Sequence, residues 1–278
     1  MIFEQEPLSV YGSAGFVGSH YVANTNINSI NIPRDVRESQ TPSILYFIGT
    51  VDNYNVLTDP YLDINTNETL LIETLEACRK RWGNFVFNFV STWFVYGTTN
   101  LPYKEDYPCS PKGFYSITKY AAEMLLRSYC ETYNCSYRII RLGNVLGPND
   151  RKASKKKNAI QFMLRNLREN EDVFLYEGGQ IIRDLIHVKD MVRGLDLILR
   201  KGSLNEIYNL SSGCPTIVGD LIKDYGAYIK SRSKIIEVET PHFHKVVQVK
   251  DCLLDVSKVR SLGFEPSIKF THEILDTL

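Results

Sequence analysis

The chain has 278 residues, in which 32 lysine and arginine residues balance 32 aspartate and glutamate residues. This zero net charge argues against a nucleic-acid-binding protein, and 44% hydrophobic residues indicate a globular core. Because no apolar run approaches the roughly 20 residues that span a bilayer, we expect no membrane association. The N-terminus lacks a signal peptide's basic start and the six cysteines show no paired spacing, so we expect a cytoplasmic protein without a metal site.

Strands alternate with helices along the first half of the chain. Apolar runs predict strands at 7–11, 29–32, 44–48, 85–90 and 137–141. Helical spacing predicts the intervening helices, from about 16, at 62–82 and at 115–133. This alternation is typical of an α/β fold with a doubly wound parallel sheet.

Beyond residue 147 the predicted elements are shorter. Helices are expected around 160–167 and near 189–201, 218–230 and 269–277. Strands are expected at 173–176, 207–210 and 235–238. This half therefore predicts a smaller α/β lobe packed on the sheet.

Three glycines, Gly12, Gly15 and Gly18, separate the first strand from the first helix. Without side chains, the backbone N–H groups of such a turn can approach an anion closely, and the helix N-terminus adds a positive dipole end. The turn and the first helical residues, Phe16 and Val17, therefore predict a pyrophosphate site of a dinucleotide. The alternative is a tight turn with close helix–strand packing.

Two further groups of side chains favour acid/base chemistry. Tyr115 and Lys119 are four residues apart on a helix, and a nearby ammonium lowers the pKa of a phenol. The alternative is solvated helix surface. Thr92 follows the strand at 85–90, at the sheet edge where ligands bind, and can hydrogen-bond a substrate hydroxyl or carbonyl. The alternative for Thr92 is a helix cap.

Five motifs occur in one order along the chain: Gly12-x-x-Gly15-x-x-Gly18, Ser91-Thr92-x-x-Val-Tyr-Gly97, Tyr115-x-x-x-Lys119, Arg141-x-x-Asn144-Val-x-Gly-Pro148 and Arg183-Asp-x-Ile-His187-Val-x-Asp190. In this order the sequence resembles the extended short-chain dehydrogenase/reductase superfamily, and within it the UDP-galactose 4-epimerase-like nucleotide-sugar epimerases and dehydratases. The resemblance covers nearly the whole chain.

The resemblance implies a Rossmann-like dinucleotide-binding domain and a smaller nucleotide-sugar-binding lobe. The first comprises 1–146 and 184–210, and the second comprises 147–183 and 211–278. It also implies NAD or NADP as cofactor, a nucleotide-diphosphate sugar as ligand, and a homodimer. In such a dimer the helices at about 63–81 and 115–133 of each subunit would pair.

The resemblance also implies residue roles. Thr92 matches the substrate-binding hydroxyl, Tyr115 the acid/base, and Lys119 the lysine that binds the nicotinamide ribose and lowers the tyrosine pKa. Asn65 matches an asparagine on the cofactor side. Asn144 and Arg183 match ligands of the diphosphate, and Asn158 and Tyr176 match ligands of the nucleotide base.

The two residues after Thr92 depart from the dehydratases of this family. Those enzymes place acids there to move the protons at C5 and C6, whereas this chain has Trp93 and Phe94, which transfer no protons. Hydride chemistry at one carbon needs only Tyr115, Lys119 and Thr92. The substitution therefore favours a 4-epimerase or a ketoreductase.

A deletion is the second departure. Only about ten residues separate Pro33 from Ile44, too few for another strand and helix, because a βαβ unit needs roughly 30 residues. We predict that the outermost strand of the first half of the sheet is missing. Nearby, Asp35 is a candidate for the ribose hydroxyls of NAD, and Arg34 or Arg37 for the 2′-phosphate of NADP. The sequence leaves both cofactors open.

The leading hypothesis is an NAD-dependent nucleotide-sugar epimerase that acts at C4 through a transient keto sugar. The first alternative is an NADPH-dependent reductase of a nucleotide-linked 4-keto-6-deoxy sugar. The second is a non-catalytic nucleotide-sensing protein on the same fold.

Overall fold

A parallel sheet of six strands forms the centre of the computed structural model, which describes residues 7–97 and 100–278. The strands in chain order are β1 (Leu8–Tyr11), β2 (Ser29–Ile32), β3 (Ser43–Tyr46), β4 (Val86–Thr92), β5 (Ser136–Leu142), β6 (Asn144–Leu146), β7 (Val173–Tyr176), β8 (Ile182–His187), β9 (Glu206–Leu210), β10 (Pro215–Ile217) and β11 (Ile235–Val238). The central sheet has the order β2-β1-β3-β4-β5-β9. The predicted doubly wound α/β fold is confirmed.

Helices cover both faces of this sheet and build much of the second lobe. They are α1 (Phe16–Asn24), α2 (Tyr61–Ile64), α3 (Leu70–Trp82), α4 (Gly113–Tyr133), α5 (Ala159–Glu169), α6 (Val188–Lys201), α7 (Val218–Tyr228), α8 (His242–Val247), α9 (Ser257–Ser261) and α10 (His272–Asp276). Because the sheet is covered on both faces, β4 is buried along its whole length. None of the helices in the described ranges is long and apolar enough to cross a membrane.

The sheet ends at β2, which pairs with β1. Residues 33–42 form turns and no strand, so the predicted absence of an outer strand is confirmed. The short segment is instead tied back to the sheet: the Tyr11 hydroxyl donates to the Arg37 carbonyl at 2.7 Å, and the Ser9 amide donates to the Thr41 hydroxyl at 3.0 Å. Hydrogen bonds to β1 thus hold this segment against the sheet in place of a further β-α unit.

The helix predicted at 62–82 is interrupted. A π-helical turn at Asn65–Thr69 separates α2 from α3. Such a turn inserts an extra residue and rotates the side chains before it relative to those after it. After this rotation Asn65 is exposed and Asn67 is buried.

The second lobe contains two small sheets. One has the order β10-β8-β6, and β7 pairs with β11 in the other. A separate hydrophobic cluster joins these strands to α5 and α7, with Leu164, Leu175 and Ile222 almost fully buried. The lobe stands at the carboxyl edge of the central sheet, so a cleft lies between the two.

Candidate active site

The glycine turn between β1 and α1 leaves the start of the helix open. Gly12 has a φ of +78°, which favours glycine, and its carbonyl accepts a hydrogen bond from the Gly15 amide at 3.0 Å. A Cβ at Gly18 would lie 2.3 Å from the Gly12 oxygen, so a side chain there would displace the turn. No side chain caps the N-terminus of α1. The first amides, including those of Phe16 and Val17, are therefore available to an anion.

This turn opens into a cavity of about 1010 Å³. Most of the predicted site residues line it: Gly12, Gly15, Phe16, Val17, Gly18, Thr92, Tyr115, Lys119, Asn144, Asn158, Tyr176 and Arg183. The structure thus brings together residues from both halves of the chain. Arg34, Asp35 and Asn65 are not among the lining residues.

Tyr115 and Thr92 meet at the inner end of the cavity. Both are 8% exposed, and the Thr92 oxygen also accepts a hydrogen bond from the Phe94 amide at 3.3 Å, which caps the helical turn that follows. Burial raises the pKa of Tyr115 to about 12, and a hydrogen bond with the Thr92 side chain acts in the opposite direction. The expectation of a lowered pKa is therefore wrong for this protein without ligands, because spacing alone does not reveal how deeply the phenol is buried.

Lys119 is buried one helical turn after Tyr115. Its Nζ donates to the Val90 carbonyl at 2.9 Å and lies 4.1 Å from the centre of the Phe89 ring. Burial lowers the pKa of Lys119 to about 7, while the Glu123 carboxylate acts in the opposite direction. Near neutral pH the lysine is therefore only partly charged.

This low pKa predicts an unusual pH dependence of stability. Between about pH 7 and its ordinary value of 10.5, Lys119 binds more protons in the unfolded chain than in the folded protein. The free energy of unfolding therefore contains a contribution that rises with pH across this window. We expect Lys119→Met to remove that rise. Urea unfolding between pH 7 and pH 9 measures it, and identical pH profiles for the variant and the wild type would contradict the assignment.

Asn67, and not Asn65, is buried against the cavity-lining residue Thr50. Asn65 is exposed, whereas Asn67 is 1% exposed, and its Nδ2 donates to the Thr50 hydroxyl at 2.8 Å and to the Thr118 hydroxyl at 2.9 Å. Because of the π-helical turn, which was not foreseen, Asn65 does not line the cavity, and its cofactor role stays a prediction. The sequence did contain a signal for the burial of Asn67, because it lies four residues before Leu71, which belongs to the apolar stripe of α3.

Arg34 and Asp35 lie exposed in the turn after β2. The neighbouring Arg37 is occupied, because its Nε is 2.9 Å from a Glu73 oxygen and its guanidinium donates to the Arg34 carbonyl at 2.8 Å. The structure does not bring Arg34 or Asp35 to the cavity. Their roles in cofactor binding stay predictions.

Three polar side chains from the end of β5 onward also line the cavity: Asn144, Arg183 and Lys250. The Asn144 Oδ1 is buried and has no hydrogen-bond partner among the residues that the structure describes. The Arg183 guanidinium lies 5.2 Å from the centre of the Trp93 ring and donates to the carbonyl of Ile182 at 2.8 Å. Lys250, which the sequence analysis missed, also lines the cavity. The Lys250 Nζ is 3.0 Å from a Glu177 carboxylate oxygen, so Arg183 is the cation of this group without a carboxylate partner among the described residues.

The far end of the cavity is aromatic. The rings of Tyr176 and His244 are 5.0 Å apart, and the Tyr54 hydroxyl forms a hydrogen bond with His244. Asn158 is near this end, but its Nδ2 is engaged by Asp150 at 3.0 Å. Tyr54 and His244 were missed because they are 190 residues apart, and only the packing of the lobes joins them.

Comparisons with known proteins place this site in context. Residues 34–211 match the model of the NAD dependent epimerase/dehydratase family. The chain is 26% identical to a putative UDP-glucose 4-epimerase of Methanocaldococcus jannaschii, over 95% of each chain. It is also 26% identical to a dTDP-glucose 4,6-dehydratase of an Actinoplanes species, over 97% of this chain and 95% of that one.

Solved structures resemble the whole chain. The UDP-glucose 4-epimerase of Thermotoga maritima superposes with a TM-score of 0.83 at 22% identity, over 98% of this chain and 97% of that one. The UDP-glucuronic acid 4-epimerase of Bacillus cereus gives 0.85 at 19% identity, with the same coverage. At these identities the likeness establishes the fold.

Proposed function

The chain belongs to the NAD dependent epimerase/dehydratase family, and we propose that it is a nucleotide-sugar epimerase that inverts C4 through a transient keto sugar. One observation carries the proposal. Thr92, Tyr115 and Lys119 meet at one end of the cavity, while Trp93 and Phe94 occupy the two positions after Thr92. Hydride chemistry is therefore supported there, whereas neither aromatic side chain can abstract a second proton.

The residues that line the cavity fit NAD. The glycine turn and the open N-terminus of α1 would hold its pyrophosphate, and Gly18 lets α1 pack closely against the Gly12 carbonyl of that turn. Lys119, which lines the cavity, would stand beside its nicotinamide half. When bound, NAD accepts a hydride from the sugar carbon and later supplies it again.

Tyr115 is the proton-transfer group in this proposal. Its hydroxyl oxygen takes the proton of the C4 hydroxyl during oxidation and gives it back during reduction, so one side chain serves both directions. Thr92 hydrogen-bonds the same substrate oxygen and fixes its position. Lys119, in its protonated form, favours the phenolate that the first step requires.

The second lobe would hold the substrate by its diphosphate. Arg183 and Lys250 line the cavity together with Asn144, whose Oδ1 has no hydrogen-bond partner among the described residues. A ligand anchored there leaves its sugar free to turn about the linking bonds. The keto sugar then presents its opposite face, and the returning hydride inverts C4.

Turnover of nucleotide sugars tests this function. The purified protein with NAD is incubated with UDP-, dTDP-, GDP- and CDP-linked hexoses, and the products are separated as epimers. We expect one epimeric pair to equilibrate from either side without net change in NADH. Stoichiometric NADPH oxidation on a keto sugar, with no epimer formed, would instead identify a reductase.

We also propose that two copies of the chain associate through α4 and the neighbouring α2. Large apolar side chains are exposed on these helices: Tyr61, Leu62, Phe114, Ile117, Met124 and Leu125. Such a patch is unusual on a monomer and supports a helix–helix contact between copies.

A charge on this face should separate the subunits. We expect a dimer by light scattering for the wild type and a monomer for Ile117→Glu/Met124→Glu, because two buried charges without partners are costly in an interface. Leu204→Glu, on an exposed turn elsewhere, is the control and should stay dimeric. A monomeric wild type would refute the proposal.

A further inference from the structure

Two aromatic rings form a wall beside the candidate acid/base. The Phe94 ring meets the Tyr115 ring edge to face, with 5.9 Å between centres, and stacks on the Trp93 ring at 4.0 Å. Both aromatic residues line the cavity, and Trp93 is 2% exposed and therefore fixed in place. The Thr92 oxygen beside them is already engaged by the Phe94 amide.

The Phe94 and Trp93 rings of this wall restrict which substituents the sugar can carry next to its reacting carbon, C4. Tyr115 and Thr92 would hold the C4 oxygen, so Phe94 flanks one of the two neighbouring carbons. C3 carries an oxygen that requires hydrogen bonds, whereas C5 carries a carbon substituent in hexoses. An apolar ring therefore suits the C5 side.

Resting on the proposed function, we infer that the preferred substrate bears a methyl group or a hydrogen at C5, in place of a hydroxymethyl group. It is thus a nucleotide-linked 6-deoxyhexose or pentose. A hydroxymethyl group against Phe94 would lose its hydrogen bonds to water and find no partner on the ring. A methyl group would instead be buried favourably against it.

The expected size of this substrate preference follows from how strongly apolar pockets discriminate between similar ligands. An apolar pocket distinguishes ligands that differ by one hydroxyl or methylene by about 10- to 100-fold in kcat/KM. The contrary possibility is a carboxylate at this position, because Lys112 also lines the cavity. Lys112 precedes the first turn of α4, three residues before Tyr115, so a uronic acid belongs in the same test.

Matched substrates test the inference. We would measure kcat/KM for epimerisation of UDP-galactose, UDP-6-deoxygalactose, UDP-arabinose and UDP-galacturonic acid, and of the dTDP-linked galactose and 6-deoxygalactose. The expected result is a preference of about 10-fold or more for 6-deoxygalactose or arabinose over galactose. Equal rates, or a preference for the hydroxymethyl or carboxylate sugar, would overturn the inference alone. No turnover of any sugar would overturn the proposed function and the inference with it.

Two substitutions of Phe94 separate the effect of the aromatic wall on substrate preference from a general effect of mutation. Phe94→Thr places a hydroxyl on the wall and should reduce the preference to roughly threefold or less, mainly by improving turnover of galactose. Phe94→Leu keeps an apolar wall of similar length and should retain the preference. If the two variants change the preference equally, Phe94 does not set it.

Discussion

Replacing Tyr115 with phenylalanine is expected to lower kcat by about 10²- to 10⁴-fold, the usual contribution of a positioned acid/base. The change removes one oxygen from a buried ring that keeps its contacts with Phe94. Neither the glycine turn nor Lys119 is altered, so NAD should bind nearly as tightly as to the wild type. Epimer formation gives kcat, and quenching of protein fluorescence by NAD gives the dissociation constant.

Tyr120 provides the matched control for this substitution. It is a tyrosine on the same helix that does not line the cavity, and Tyr120→Phe should leave turnover unchanged. Wild-type turnover in Tyr115→Phe would contradict the assigned role. If neither variant nor wild type turned over any sugar while nucleotides still bound, a sensing function would replace catalysis.

The second large effect is expected from the buried ion pair behind the site. Glu123 and Arg141 are 2.7 Å apart and 1% and 3% exposed, and Ser91 donates to Glu123 at 2.5 Å. The pair ties α4, which carries Tyr115, to β4 and β5. Glu123→Ala leaves the guanidinium buried without a counter-charge, so we expect a loss of about 3–5 kcal/mol in the free energy of unfolding. Urea unfolding at pH 7 measures this loss.

Two further variants test whether the loss of stability comes from a charge that is left buried without a partner. Glu38 pairs with Arg81 at 3.2 Å on the surface, and Glu38→Ala should cost less than about 1 kcal/mol. Replacing both buried partners, as Glu123→Leu/Arg141→Met, should recover much of the stability, because no charge is then left buried. A loss as small in Glu123→Ala as in Glu38→Ala would show that the pair does not stabilise the fold.

Periodicity and turn chemistry were sufficient to predict the sheet and the glycine turn. The strands at 85–90 and 137–141 are continuous apolar runs, and the short interval between Pro33 and Ile44 left no room for an outer strand. These features depend on neighbours in the sequence. The folded protein therefore shows them almost as the sequence predicts them.

Features set by tertiary packing were predicted less well. The π-helical turn leaves Asn65 exposed and buries Asn67, which contacts the cavity-lining residue Thr50. The raised pKa of Tyr115 depends on burial by residues distant in sequence. Lys250 follows α8 in the second lobe and reaches the cavity only through the packing of that lobe on the sheet. Spacing along a helix gives the face of a side chain but not what covers it.

The most direct test of the proposed chemistry follows the hydrogen on C4. A nucleotide sugar that carries deuterium at C4 is converted in ordinary water, and the product epimer is analysed by mass spectrometry and NMR. If hydride leaves and returns at one carbon, the epimer retains deuterium at C4 and gains no solvent hydrogen at C5. Loss of the label from C4, or exchange at C5, would contradict the mechanism.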